Sequence, residues 1–541
     1  MSELLAITTA LAVSIAAIPM MMRLAPHLGM VDMPDPRKVH LRPVPRVGGL
    51  GIAMGALLAI VAMAPHASWF WFYVSGAMVL LMFGALDDSR EMGHYTKFAG
   101  QLLAVIPLVW FGDVWVASPP FLPEPLPAEI GKPFTAFAMI GVINAINHSD
   151  GLDGLAGGES LLSLACVAYL AQLAGDASLA LLCSAVAGGI FGFLRFNTHP
   201  ARVFMGDAGS QFLGFSLATF VVVLTQRSNP SLSMMLPLLI LGLPVIDILA
   251  VLYLRVRGGM NWFRATKNHV HHRLLALGFD HYQAVVAIYT VQTLLVLCAI
   301  AFRHEADALV LALYVGPCIC LFGALTLAER TGWRLRRAEG DSRLARLLGG
   351  ERAAGVARAM TTVVAVVIPA YFVAGGFAVR VLPPGITPAV VVVAAVLALA
   401  AAMPARAWLE LPARVALYGL VPLWVYAVER QLQALAPMAL ASTVPFYAAL
   451  ALAIGLVWKL ERDREFAPTT MDFLVAVVAV AAALFAGGLE ESGQVAALLV
   501  KIVLLLYGCE LVLTHAGLRA RRALHAAAGA AALLALWRLA G

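Results

Sequence analysis

Apolar runs close to 20 residues long recur from Leu4 to Trp537 with little interruption, and they limit most tightly what the chain can become. Such a run spans the hydrocarbon core of a bilayer when helical, and a backbone in lipid must satisfy its own hydrogen bonds. The expected fold is all-α, a polytopic helical membrane protein. Composition agrees, with 61% of residues hydrophobic and 13% charged. A soluble chain of 541 residues would instead cover several cores with charge.

Spans are expected at 4–22, 47–64, 69–86, 98–116, 133–147, 159–174, 178–194, 210–226, 231–253, 284–302 and 306–328, about eleven in a first block. A second block is expected to hold about seven more, at 360–379, 386–405, 415–428, 443–458, 470–487, 495–513 and 523–537. Between them, 329–359 is rich in Arg, with Trp333, Leu335, Leu344, Leu347 and Leu348 spaced as on an amphipathic helix. It reads equally as a headgroup-layer helix and as a solvated basic connector. The organisation is thus 1–328, a connector at 329–359, and 360–541. The first span follows Ser2 and Glu3 without a basic leader or small-residue cleavage site, so it is expected to be retained.

Lys and Arg in the short loops set the orientation. One set of loops carries Arg37, Lys38, Arg42, Arg46, Arg90, Lys97, Arg195 and Arg202, then Arg255, Arg257, Arg264, Lys267 and Arg273. It continues through 330–358 to Arg519, Arg521 and Arg522, whereas the alternate set holds only Lys132, Arg227, Arg303, Arg380 and Arg430. The bias is roughly sixfold, which puts the first set in the cytoplasm and the N-terminus outside. The net charge of +6 is ordinary for such a protein and does not argue for nucleic acid. Six cysteines, scattered singly apart from Cys318 and Cys320, resemble no zinc or disulfide framework.

The polar clusters all fall on the cytoplasmic side. Residues 144–158 read NAINHSDGLDGLAGG, placing Asn144, Asn147, Asp150 and Asp153 at every third position beside glycines that suggest a tight loop. Asp87 and Asp88 end the third span, where a helix macrodipole disfavours paired carboxylates unless a metal or cation compensates. Asp207 lies in FMGDAGS at the start of the eighth span, where free helix amides favour an anion. Hard oxygen ligands in this number suit Mg²⁺ or Mn²⁺ rather than zinc. His269, His271 and His272 stand near Arg264, Lys267 and Arg273 and look like a phosphate-binding patch, with zinc ligation as the alternative. Lys38, His40, Arg42 and Arg46 share a proline-stiffened loop whose cations topology alone could explain. In 360–541, Lys501 and Glu510 are expected on opposite faces of one helix, and nothing there reads as catalytic. Carboxylates for a divalent cation, beside cations for phosphates at a membrane surface, suit transfer of a phosphate-linked group from a nucleotide to a lipid. A secondary transporter is the alternative class, though transporters place their ionisable groups near the midplane.

Four motifs in order, DD at 87–88, NxxNxxDGxDGLAxG at 144–157, GDxGS at 206–210 and HxHH at 269–272, resemble the polyprenyl-phosphate N-acetylhexosamine-1-phosphate transferases over about residues 1–328. The RKxH…PxPxxGG stretch at 37–49 is similar to the branch using simple UDP-HexNAc donors. The resemblance implies that UDP-N-acetylhexosamine and undecaprenyl phosphate yield the diphosphate-linked sugar and UMP, with Mg²⁺ or Mn²⁺, at the bacterial inner membrane. It implies catalytic roles for Asp87, Asp88 and Asp207, and metal ligation by Asp207, Asp150 and Asp153. Substrate contacts are implied for Lys38, Arg46, Asn144, Asn147, Asp150, Asp153, Arg264, Lys267, His269, His271 and His272. The residues before the histidines, ATKN, depart from the Pro-Asp-Arg expected there, and 360–541 exceeds the family's usual length. A homodimer, and docking of other polysaccharide enzymes through 360–541, are further expectations.

Overall fold

The computed structural model describes residues 2–34, 42–64, 67–90, 92–122, 124–259, 268–335, 350–380, 387–403, 407–435, 443–460 and 490–540. Among them nine helices are long and apolar enough to cross a membrane, and the protein is a multi-pass, all-α membrane protein. The expected span at 470–487 lies outside the described residues, as do Leu344, Leu347 and Leu348. The chain divides into two compact units, Met1–Arg337 with Thr469–Leu474, and Ala338–Pro468 with Val475–Gly541.

The first unit runs α1 (Ser2–Leu24), β1 (Val31–Asp32), β2 (Val44–Pro45), α2 (Gly48–Met63), α3 (Phe70–Arg90), α4 (His94–Trp110), α5 (Ala128–Ser149) and α6 (Leu155–Leu173). It continues with α7 (Ala177–Asn197), α8 (Gly206–Val223), α9 (Leu236–Arg257), α10 (Val270–Ala276), α11 (His281–Ala301) and α12 (Asp307–Thr331). The two short strands pair antiparallel, Val31 opposite Pro45, and Arg46 closes that hairpin on Asp32. Helix α8 is the central post: it is almost wholly buried, with α3 and α5 packed against it. Its small residues permit this approach, because a Cβ on Gly84 of α3 would come within 2.4 Å of the Ala208 Cα. The apolar pattern thus positions the first turn of α8, which carries Asp207, against the last turn of α3.

The span expected at 231–253 is a broken helix. At Gly242 the backbone leaves helical geometry (φ 39°, ψ −118°). Gln292 of α11 bridges the break, accepting from Leu243 N at 2.9 Å and donating to Ile240 O at 2.9 Å, while Tyr314 donates to Gly242 O at 3.1 Å. Such side-chain substitution lets a helix break survive within a membrane bundle.

The second unit contains α13 (Gly350–Ala378), α14 (Thr387–Ala402), α15 (Ala407–Leu435), α16 (Val444–Leu460), α17 (Glu490–His515) and α18 (Leu518–Ala540). Here one expectation is corrected. Lys501 and Glu510 do not serve opposite neighbours; both bond to α15. Lys501 donates to Glu429 at 2.6 Å, while Arg414 donates to Glu510 at 3.1 Å. Side chains of this length reach around the helix to a partner, since an unpaired charge in a membrane interior is costly.

Candidate active site

The last turn of α3 meets the first turn of α8 through Asp88. Its Oδ1 accepts from the Asp207 amide at 2.9 Å and its Oδ2 from the Ala208 amide at 3.1 Å. These are amides that a helix start leaves unsatisfied, so the carboxylate disfavoured at the end of its own helix is stabilised at the start of another. Gly206 makes this possible: its φ is +73°, and a Cβ there would lie 2.5 Å from Asp88 Oδ2. Gly206→Ala is expected to lose the Asp88 contacts and cost about 4 kcal/mol or more, combining left-handed strain with two lost charge-assisted hydrogen bonds. Thermal unfolding in detergent checks this; an unchanged midpoint would contradict it.

Lys97, near the start of α4, joins the other two acids. Its Nζ lies 2.7 Å from Asp87 Oδ2 and 2.5 Å from Asp207 Oδ2. Sequence reasoning placed Lys97 only among the topological cations. Asn147 donates to Asp207 Oδ1 at 2.7 Å and to Ser210 at 2.8 Å. One turn earlier, Asn144 donates to Gln101 at 3.0 Å. Both motif amides therefore face α4 and α8 from α5. Arg46 is held by Asp32, and its charge also acts on Asp88. Lys38, Arg264 and Lys267 lie outside the described residues.

Asp150 follows the end of α5. Burial, with Asp207, Asp88 and Asp153 nearby, pushes its carboxyl up to about 7. The folded protein therefore holds this proton more tightly than the unfolded chain, where a carboxyl titrates near ~3.9. That contribution to stability is complete at low pH and is lost as pH rises through about 7. Without divalent cations, the unfolding midpoint should fall as pH is raised toward 8, and Asp150→Asn should flatten the slope. An unchanged slope in the variant would exclude Asp150 as its source.

Asp153 turns away from this group. Its Oδ2 lies 2.6 Å from His199 Nδ1 and accepts from Ala201 N at 3.0 Å, while His281 Nε2 is 3.2 Å from its carbonyl. The His199 and His281 rings stack with centroids 4.0 Å apart. Asp153, His199 and His281 thus form a separate cluster with metal-ligand spacing. No feature of the sequence marked the two histidines.

The HxHH residues pack beneath the DGLDG loop rather than forming an open cationic patch. His269 and His271 are buried, and a Cβ on Gly151 would come 2.2 Å from His271 Nε2. Burial, then the neighbouring His272, His269 and His281, push His271 down to about 3. It is therefore uncharged at neutral pH and adds no positive charge to the phosphate-binding patch expected there. Asp247, one turn beyond the break in α9, holds His269 Nδ1 at 2.8 Å and accepts from Val270 N at 3.0 Å. Arg273 is committed to Glu329, donating at 2.7 and 2.8 Å. Asp247 is a functional candidate that sequence motifs missed, since it lies inside an apolar run.

Asp87 Oδ1 is buried without a hydrogen-bond partner. That orphaned oxygen, beside Asp207, Asp88 and Asp150, makes a hard-oxygen donor set suited to a divalent cation. A multi-pass helical membrane protein with carboxylates gathered where helix ends meet is the class that fold and site define. Residues 70–225 match glycosyl transferase family 4. The chain is 33% identical over 319 residues, 58% of its own length and 88% of the relative's, to the "Probable undecaprenyl-phosphate N-acetylglucosaminyl 1-phosphate transferase" of Bacillus subtilis (strain 168). It is 32% identical over 340 residues, 59% of its own length and 92% of the relative's, to the "Undecaprenyl-phosphate alpha-N-acetylglucosaminyl 1-phosphate transferase" of Escherichia coli (strain K12). The Yersinia pestis protein of that same name matches at 31% over 285 residues, 51% of this chain and 78% of the relative. The chain belongs to the polyprenyl-phosphate N-acetylhexosamine-1-phosphate transferase family.

Proposed function

We infer that this protein transfers N-acetylhexosamine 1-phosphate, with GlcNAc 1-phosphate as the first candidate, from the UDP-sugar to undecaprenyl phosphate and releases UMP. An oxygen of the lipid phosphate attacks the sugar-bearing phosphorus of the donor. A new P–O bond forms, the bond to UMP breaks, and the electron pair leaves with UMP. The observation that carries this reading is the junction of Asp87, Asp88 and Asp207, held by Lys97 and by the α8 amides.

In this reading Asp87, with one oxygen unpartnered, orients the lipid phosphate and accepts any proton it carries. Asp207 and Asp150 would hold a divalent cation, Mg²⁺ or Mn²⁺, while Asp153, turned to His199, acts on Asp150 only through its charge. When bound, the cation supplies positive charge to the diphosphate and the departing UMP. Lys97 balances Asp87 and Asp207 side by side, and Asn147 fixes the Asp207 carboxylate plane. Asn144 supports that wall through Gln101. His269, His271 and His272, with Lys38, Arg46, Arg264 and Lys267, contact the donor. A neutral His271 does so as a hydrogen-bonding group.

The positive-inside pattern supports a cytoplasmic site with the N-terminus outside, and the relatives' named activity supports a place in the bacterial inner membrane at the first membrane step of a surface polysaccharide. That the relatives match 58–59% of this chain but 88–92% of their own length supports the division into a transferase block, a connector and an additional block. The donor is tested by incubating purified protein with undecaprenyl phosphate, Mg²⁺ and a panel of UDP-sugars while following UMP. UMP from UDP-GlcNAc above the other donors is expected; none from any donor would refute the reading. Asp247→Ala releases His269 and should raise KM for the UDP-sugar about tenfold, the loss of one buried charge-assisted hydrogen bond. An unchanged KM would remove Asp247 from donor binding.

A further inference from the structure

The second unit carries a cleft of about 70 Å³, partly open to solvent, where α14, α15, α17 and α18 come together. One side is apolar, formed by Leu409, Leu513 and Leu518. The other carries three cations, Arg414, Arg521 and Arg522, with His525 beside them and a single lining acid, Glu410.

These polar groups are not equally engaged. Arg414 donates to Glu510 at 3.1 Å, and Arg521 donates to the carbonyls of Ala516 and Thr514 at 3.1 and 3.0 Å. Arg522 Nε and His525 Nε2, in contrast, are buried without hydrogen-bond partners. Leaving a buried polar group unsatisfied is unfavourable, so two in one cleft call for a ligand that satisfies them. The adjoining Arg519 marks this end of the block as the side the positive-inside pattern assigns to the cytoplasmic leaflet. Basic pockets between membrane helices on that side suit phosphate headgroups, and the guanidinium fork matches phosphate oxygens.

We propose that this cleft binds the phosphate of an anionic lipid, with the headgroup against Arg522 and His525 and the first acyl methylenes along Leu409, Leu513 and Leu518. The apolar wall is what favours a lipid over free phosphate. The inference concerns the second unit alone and does not rest on the transferase reading.

Native mass spectrometry of the full-length detergent-solubilised protein provides the test. Probes are dioleoyl phosphatidic acid, dioleoyl phosphatidylcholine and millimolar inorganic phosphate, with thermal unfolding measured in parallel. The expected result is retention of phosphatidic acid at least tenfold more tightly than phosphatidylcholine, with a raised unfolding midpoint. Arg522→Gln combined with His525→Gln should abolish that preference, whereas Arg519→Gln, outside the cleft, should keep it. Should the double variant not fold, Ala413→Phe, which fills the cleft and keeps its cations, should abolish the preference as well. Equal retention of the two lipids, or an undiminished preference in the folded variants, would overturn the proposal. Stabilisation by inorganic phosphate equal to that by phosphatidic acid would overturn the lipid and leave free phosphate as the ligand.

Discussion

Asp207→Asn is expected to lower kcat by about 10³-fold or more, while the protein still folds and inserts. The reasoning separates charge from shape. The substituted side-chain amide would keep an oxygen to accept from Asn147, which now donates to the carboxylate at 2.7 Å, and the backbone amide at this position would still bond to Asp88. What disappears is the negative charge facing Lys97 at 2.5 Å, and with it a cation ligand. Loss of one preorganised electrostatic group at a reacting centre typically costs ~10²–10³ in rate, and loss of a metal ligand adds to this. The checks are UMP release per mole of protein and the unfolding midpoint of the same sample. A variant with more than a tenth of wild-type turnover would remove Asp207 from the chemistry.

Lys97→Gln should be the second large effect, and it should differ in kind. Without this ammonium, Asp87 and Asp207 face each other with no cation between them. Removing one partner of a buried charged group costs about 3–5 kcal/mol. The variant should therefore lose turnover about 100-fold and also unfold at lower temperature, where Asp207→Asn does not. Raising Mg²⁺ should restore much of the stability, because a divalent cation offsets the same two carboxylates. Unfolding in a Mg²⁺ titration checks this. A wild-type midpoint for Lys97→Gln without Mg²⁺ would show that Lys97 does not balance the pair.

The contrast between these variants also marks what sequence could and could not convey. Apolar runs announce membrane helices because bilayer thickness acts on every stretch alike, and the long helices described in the first unit fall where the runs do. The carboxylates stood out because charge near a membrane is expensive. Lys97 did not: it is 110 residues from Asp207 in the chain, and only the packing of α4 against α3 and α5, which flank α8, joins them. Asp247 was hidden in the same way, since the break at Gly242 that frees its surroundings is sustained by Gln292 and Tyr314 on other helices. Asp153 illustrates the reverse. Its place in a three-residue repeat suggested a shared metal pocket, yet the loop turns at Gly154 (φ +82°) and delivers it to His199. Repeats state which residues are near each other in the chain, whereas loop dihedrals decide where each one points.

The central claim is that a sugar phosphate, rather than a sugar, moves from nucleotide to lipid. It is tested by supplying the purified protein with undecaprenyl phosphate and UDP-GlcNAc carrying ³²P in the sugar-linked phosphate, then separating lipid from water-soluble products. The label should appear in the lipid fraction in a one-to-one ratio with unlabelled UMP, and Asp207→Asn should release neither. Labelled UDP in the aqueous phase, with sugar but no label on the lipid, would contradict the account.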